Sequence, residues 1–347
     1  VSFDPQCPTP APDAVVTLAH GGGGRSARRL LQTVILPALG LDPAAPALDA
    51  AVLTPPPGCR LAFSTDGAIV RPWRFPGGTL GTLAVNGTVN DLAMMGARPL
   101  GLSLALLIEE GTSFETLRAV LASFAEAAAH AGVPVLTGDT KVVERGRGDG
   151  VYASVSGIGA VPAGLGLGPQ AVRAGDAVLV SGDVGRHGVA VLSVREGLAF
   201  ECPVESDCAA LTPLVVALLD AGVTLHALRD PTRGGLAAAL NEVALDAGLA
   251  ITVKEAAVPV SEGVEAACAL LGLEAFSMAC EGRMVAFVPE AEADRALAVL
   301  RGHPLGAGAA RIGRVEPSPA GRVTLVTPYG TRRVLDFLSG EALPRIC

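Results

Sequence analysis

Four aspartates are the residues best placed by type and setting to do chemistry: Asp66, Asp91, Asp139 and Asp230, each beside glycines or small polar residues. Singly, each has an ordinary explanation as a turn former or helix cap. Together they pose an electrostatic problem. Two carboxylates about 4 Å apart repel by about 4 kcal/mol at an effective dielectric of 20, so four in one cleft would need cations. Magnesium answers this, because it is held by carboxylates together with phosphate oxygens and retained water. A phosphate contact is available in His20-Gly21-Gly22-Gly23-Gly24-Arg25-Ser26, which runs into Leu30, Leu31, Val34 and Ile35 at helical spacing. Backbone N–H groups of such a loop can approach an anion, and the following helix dipole favours it. It is not a Walker A loop, since no Gly-Lys-Ser/Thr follows, and a flexible linker has the same composition.

The other reactive group is the last one, Cys347, in the terminal run Pro344-Arg345-Ile346-Cys347. Chain ends usually fray. The polar, proline-broken stretch after Gly340 favours no long helix, and seven residues reach at most about 25 Å. That is enough to carry a thiol between a partner's surface and an interior cleft; an incidental terminal cysteine is the alternative. The seven cysteines are an odd number without the paired spacing of a zinc site, which fits a reducing cytoplasm and mostly inert, buried thiols.

These residues need a scaffold, and the chain supplies one of α/β or α+β composition. At 347 residues it is long enough for two domains; half of it is hydrophobic but only 3% aromatic, so the core must come from Ala, Val and Leu. A net charge of −8 argues against binding nucleic acid or anionic membranes through a positive field. No apolar run approaches the roughly 20 residues of a membrane span, and residues 1–17 read as a loose leader without the pattern of a secretory signal.

Residues 61–65 read as a strand delivering Asp66 at its end. Pro76-Gly77-Gly78 opens a helix containing Asn86, Asn90 and Asp91. Asn and Asp are mediocre helix formers, so this density marks either an exposed polar face or a site. A strand at 102–108 follows, then a capping pattern at Thr112-Ser113-Phe114-Glu115 and a stripe of Leu117, Val120, Leu121 and Phe124 at helical spacing. A strand at 133–136 is expected to empty into Thr137-Gly138-Asp139-Thr140-Lys141, with another at 151–160. This order predicts helices packed on one sheet. Residues 164–175 form a Gly/Pro-rich boundary. Beyond it come a strand at 177–180, a turn at 181–188 with His187 as a turn or cap residue rather than a metal ligand, a turn at 229–235 before a helix at 236–245, and Cys280-Glu281-Gly282-Arg283 leading into a strand at 284–288.

Taken together, several blocks resemble the HypE-type maturation factors of nickel–iron hydrogenases, relatives of aminoimidazole ribonucleotide synthetase, selenophosphate synthetase and thiamine-monophosphate kinase. The blocks are residues 20–25, Ser64-Thr65-Asp66, Phe75-Pro76-Gly77-Gly78, residues 86–99, Gly138-Asp139-Thr140-Lys141-Val142-Val143, residues 229–235, Glu281-Gly282 and the terminal tetrapeptide. The resemblance spans essentially the whole chain. It departs at Gly22, where the family commonly has Ser, and at Ser64-Thr65-Asp66-Gly67, where it usually has Thr-Thr-Asp-Ser.

The resemblance implies a two-domain PurM-like fold: an ATP-binding domain at 18–163 whose strands dimerise into a β-barrel, an α/β domain at 164–339, and a flexible tail at 340–347. It implies ATP-dependent dehydration of a carbamoyl group on Cys347 to a thiocyanate, whose cyanide is passed to the hydrogenase iron. A HypF-type carbamoyltransferase would load the tail and a HypC–HypD-type complex would unload it. Nucleotide contacts would fall to His20, Gly21, Gly22, Gly23, Gly24, Asp66, Asn90, Asp91, Asp139, Thr140 and Asp230, and magnesium to the four aspartates. Lys141 would orient the carbamoyl or stabilise charge, and Glu281 would take a proton from its nitrogen. Two rivals stand beside this reading: a superfamily kinase or synthetase acting on a free small molecule, although Cys7 lacks the neighbouring Lys of selenophosphate synthetases, and a non-catalytic thiol carrier.

Overall fold

The computed structural model describes residues 15–22, 24–44, 50–198 and 203–337. Most of the leader, Gly23 and the tail with Cys347 lie outside the described residues.

The first sheet has four strands: β1 Cys59–Ala68, β2 Arg98–Glu109, β3 Val135–Val143 and β4 Val151–Pro162, in the order β1-β4-β2-β3. Its β1–β4 and β2–β4 pairs are antiparallel and its β2–β3 pair is parallel. Alternation along β4, with Val151, Ala153 and Val155 buried, sets one face toward the helices α1 Leu80–Met94 and α2 Phe114–His130. Helix α2 begins one residue later than the Thr112–Glu115 capping pattern places it: Ser113 is the cap, its side chain accepting from the Thr116 N–H. The other face is open: Leu61 is 58% and Phe63 70% exposed.

Two expected loops are strand instead. Asp66 sits within β1, not beyond its end, and residues 137–141 are the middle of β3. The turn-forming residues of that segment are overridden by its ladder with β2, which runs from Ser103 opposite Thr137 to Glu109 opposite Val143.

The second sheet has seven strands: β5 Ala177–Val180, β6 Ala227–Arg229, β7 Ala250–Lys254, β8 Val285–Val288, β9 Ala310–Glu316, β10 Val323–Val326 and β11 Arg332–Val334. Their order is β11-β10-β7-β9-β5-β8-β6. β5 and β8 are continuous apolar runs because both faces are covered. Val178, Val180, Val285 and Phe287 pack with the helix Gly235–Ala247, whereas Ala177, Leu179, Ala286 and Val288 pack with the helices Thr212–Asp220 and Ala293–Arg301. His187 lies in the first turn of the helix Arg186–Arg195, fully buried, with Nδ1 2.9 Å from Ser206 Oγ and its ring edge-on to Phe75.

The halves share their interiors. Ala93 and Met94 of α1 belong to the core of the second half, and Val191 and Ala279 to that of the first. Helix α1 is therefore covered on nearly all sides, which explains why 13 of its 15 residues are buried, Asn86 and Asn90 among them. Its polar residues are not a solvated face. Among the described residues no helix is long and apolar enough to cross a membrane.

Candidate active site

The site forms where α1 passes between the two sheets. β1 turns Ser64 and Asp66 toward α1, since both belong to the inward-facing set of its alternation. The Ser64 hydroxyl donates to Asp91 Oδ2 at 2.6 Å. Asp66 presses on the same helix at Gly87, where an added Cβ would stand 2.6 Å from Asp66 Oδ2. Glycine inside a helix costs about 0.5–1 kcal/mol relative to alanine, and the room for this carboxylate explains its presence.

The second half contributes Asp230 and Glu281. Asp230 follows β6 in the turn that precedes the helix Gly235–Ala247, and Glu281 precedes β8. They are 8% and 4% exposed. Burial, and then the charge of Asp91, pushes the Asp230 carboxyl up to about 6, with Arg229 partly offsetting. Glu281 is raised well above the usual carboxylate range, first by burial and then by Asp230, Asp207, Asp66 and Asp91. Asp91 is raised too, by burial first and against the Ser64 hydrogen bond. Asp66, Asp91, Asp230 and Glu281 thus lie within one another's electrostatic reach. Of the nearby cations, Arg229 pairs with Glu242 and Arg233 is exposed.

Asp139 does not join them. Strand pairing sets Asp66 in one row with Val155, Leu104 and Gly138, and Asp139 in the next row with Gly67, Ser154 and Ala105. Neighbouring rows point to opposite faces. Asp139 is therefore on the open face, on the edge strand three strand spacings, or about 14 Å, from β1. There Lys141 Nζ reaches both its oxygens at 2.7 and 2.6 Å, and the Thr140 N–H donates to Oδ1 at 2.8 Å. The Lys141 hydrogen bond holds the Asp139 carboxyl below its ordinary range.

In the glycine loop, Gly21 ends a short helix and lies against Val142 of β3, and Gly24 starts the next helix, Gly24–Leu30. His20 is buried: its Nδ1 accepts from the Thr17 N–H at 3.0 Å, and its ring meets Phe114 edge-on. Asn90 also turns inward. Its amide group donates to the carbonyls of Ala209 and Glu281 at 3.0 and 3.3 Å, and its oxygen accepts from the Leu211 N–H at 2.7 Å.

Two residues that carried no motif complete the picture. The Asp207 side chain is fully buried and accepts from the N–H groups of Glu281 and Gly282 at 3.1 and 3.3 Å. Cys208 takes a 3.5 Å contact from the Asn86 amide, and burial, then Glu281, pushes its thiol up to about 12. Both line a cavity of about 440 Å³ whose wall also includes Asp183, Arg186, Arg283 and Leu305. Glu205-Ser206-Asp207-Cys208 looks like an ordinary polar turn in sequence, and only its contact with residues 281–282 gives it meaning.

The carboxylate oxygens of Asp66, Asp91 and Asp230 suit a hard divalent cation. Among the described residues no three Asp, Glu, His or Cys side chains already close around a common point, so phosphate oxygens and water would complete any shell.

The comparisons accord with this architecture. Residues 47–161 match the model of the AIR synthase related protein N-terminal domain, and residues 173–326 that of its C-terminal domain. The chain is 47% identical over 332 residues to the carbamoyl dehydratase HypE of Cupriavidus necator, covering 96% of this chain and 95% of that protein. The structure of a hydrogenase maturation protein HypE in complex with ATP superimposes with a TM-score of 0.89 at 44% identity, over 95% of this chain and 99% of that one. A HypE chain in a HypE–HypF complex gives a TM-score of 0.78 at 43% identity, over 80% and 90%. The chain belongs to the HypE family of carbamoyl dehydratases, built on the two-domain fold of the AIR synthase related proteins.

Proposed function

We propose that this protein uses ATP to dehydrate an S-carbamoyl group on its own C-terminal cysteine, Cys347, to an S-cyano group that supplies a cyanide ligand for a nickel–iron hydrogenase. The supporting observation is that Asp66 and Asp91 from the first half lie within electrostatic reach of Asp230 and Glu281 from the second, in a chain so similar to carbamoyl dehydratases along nearly its whole length. The extent of that identity sets aside a kinase or synthetase of a free small molecule.

A thiocarbamate oxygen leaves poorly. Transfer of the ATP γ-phosphoryl to it releases ADP and makes phosphate the leaving group; loss of that phosphate and of the nitrogen protons leaves S–C≡N. Asp66, Asp91 and Asp230 would hold magnesium, which when bound offsets charge on the phosphates. Gly21 to Gly24 cover the phosphates. Burial and the surrounding carboxylates raise the Glu281 carboxyl well above the usual carboxylate range, which suits a group that takes up a proton from the nitrogen.

Asp139 and Lys141 serve the nucleotide from the open face, and Thr140 through its backbone, whose N–H donates to Asp139 Oδ1. A homodimer closed over that face would bury Leu61 and Phe63 and enclose Asp139 and Lys141. His20 and Asn90 act as framework around the nucleotide. We divide the chain into a leader to residue 17, domains at 18–163 and 164–339, and a tail from 340 that works in the cytoplasm. A HypF-type carbamoyltransferase loads the tail, a reading supported by the HypE–HypF complex of a relative, and a HypC–HypD-type complex accepts its product.

The test of the chemistry is Glu281→Gln in protein pre-carbamoylated at Cys347. Loss of thiocyanate formation with ATP binding retained is expected; a full rate would remove Glu281 from the reaction.

A further inference from the structure

The Glu281 peptide is held on both sides by side chains far away in sequence. Its N–H is taken by Asp207 Oδ1 at 3.1 Å, while Oδ2 of the same carboxylate takes the next N–H, that of Gly282, at 3.3 Å. Its carbonyl accepts from the Asn90 amide at 3.3 Å and from the Ala209 N–H at 3.3 Å. The contact is tight enough that a Cβ on Gly282 would stand 1.8 Å from the Asp207 carbonyl oxygen. No side chain other than hydrogen fits there.

Asn90 is suited to this by having two donors and an acceptor on one planar group. It donates to two carbonyls of the second half, and its oxygen takes the Leu211 N–H. With those bonds made and the residue 2% exposed, little of its hydrogen-bonding capacity is left for a nucleotide. The next residue along α1 is Asp91, in the carboxylate cluster. One turn of one helix therefore presents Asp91 and grips the backbone that carries Glu281, fixing the two acidic groups relative to each other across the junction of the halves.

We propose that Asn90 and Asp207 are positioning residues that clamp the Glu281 peptide from the first and second halves, so that docking of the halves sets where the Glu281 carboxyl stands. This rests on the reading of Glu281 as a group that acts on the carbamoyl. A misplacement of about 1 Å can cost about 100-fold in rate. The clamp therefore affects the chemical step and leaves ATP affinity largely alone.

The experiment uses the full chain, carbamoylated at Cys347, with Asn90→Ala and Asp207→Asn measured beside Glu281→Gln. The readouts are the single-turnover rate at saturating ATP, the ATP concentration giving half that rate, and the thermal midpoint. Both clamp variants are expected to lose about 10- to 100-fold in rate while half-saturation stays within about twofold, the signature of an interaction felt in the transition state. Should Asn90→Ala fail to fold, Asp207→Asn decides by the same criteria. An unchanged rate overturns the proposal. So does a rise in half-saturation at unchanged maximal rate, or a rate loss that only follows the unfolded fraction. If Glu281→Gln is fully active, the reading of Glu281 has failed. If it is inactive while both clamp variants keep their rate, only the clamp has failed.

Discussion

Ser64 and Asp91 are joined by a 2.6 Å hydrogen bond that ties an inward-facing position of β1 to the last turn of α1. The bond aims the Asp91 carboxylate and sets it beside Asp66, two residues further along the same face of the strand. Ser64→Ala removes a partly buried donor to a charged acceptor, a bond of about 1.5–3 kcal/mol. Magnesium–ATP affinity measured by calorimetry is expected to weaken by roughly 10- to 100-fold. Ser64→Thr keeps the hydroxyl and should restore it. Undiminished affinity in the alanine variant would show that Asp91 needs no such aiming.

Gly87 offers a test that separates stability from function. Alanine there would put a Cβ 2.6 Å from Asp66 Oδ2, and the carboxylate, at the end of a side chain that can rotate, has to swing away. Helix propensity itself gains about 0.5–1 kcal/mol. Gly87→Ala is thus expected to keep its thermal midpoint within a few degrees while nucleotide binding falls about tenfold or more, at about 1.4 kcal/mol per decade. Loss of folding together with binding would mean that Asp66 is fixed more rigidly than its contacts indicate.

Cys208 lines the cavity, yet its thiol should be sluggish. With the group raised from 9.0 to about 12, thiolate is scarce at neutral pH. Alkylation by iodoacetamide, followed by peptide mapping, should be slow near pH 7 and quicken about tenfold per pH unit up to about pH 10. The sign for stability follows: the folded state keeps this proton where the unfolded chain releases it, so stability declines as pH rises from 9 toward 12. Rapid labelling at pH 7 in the folded protein would contradict the burial and charge assigned to this thiol.

Much of this site could be read from the sequence because its parts are local motifs. Asp66, Asp91, Asp230 and Glu281 stand out by their glycine-rich or polar settings, and all four lie within one another's electrostatic reach. Asp139 stands out equally, but its direction depends on the pairing of β3 with β2, and a one-residue change of row puts a side chain on the opposite face. Asp207 was invisible because its partners are backbone N–H groups more than 70 residues away. Asn90 belonged to a recognisable block, yet its inward aim follows from the second half covering α1. In the second half the strands Ala177–Val180 and Val285–Val288 were legible as apolar runs, since burial on both faces leaves no polar alternation, whereas the other strands from Ala250 to Val334 carry no such run and do not stand out.

The most direct test of the proposed reaction is the mass of the C-terminal peptide. Full-length protein, carbamoylated at Cys347 and then given ATP and magnesium, should show that peptide lighter by the mass of one water, with ADP and phosphate released in equal amounts. Cys347→Ala should fold and bind ATP but show no such change. Hydrolysis of ATP with the carbamoylated peptide unchanged in mass, or with loss of the whole carbamoyl group, would contradict dehydration on the tail.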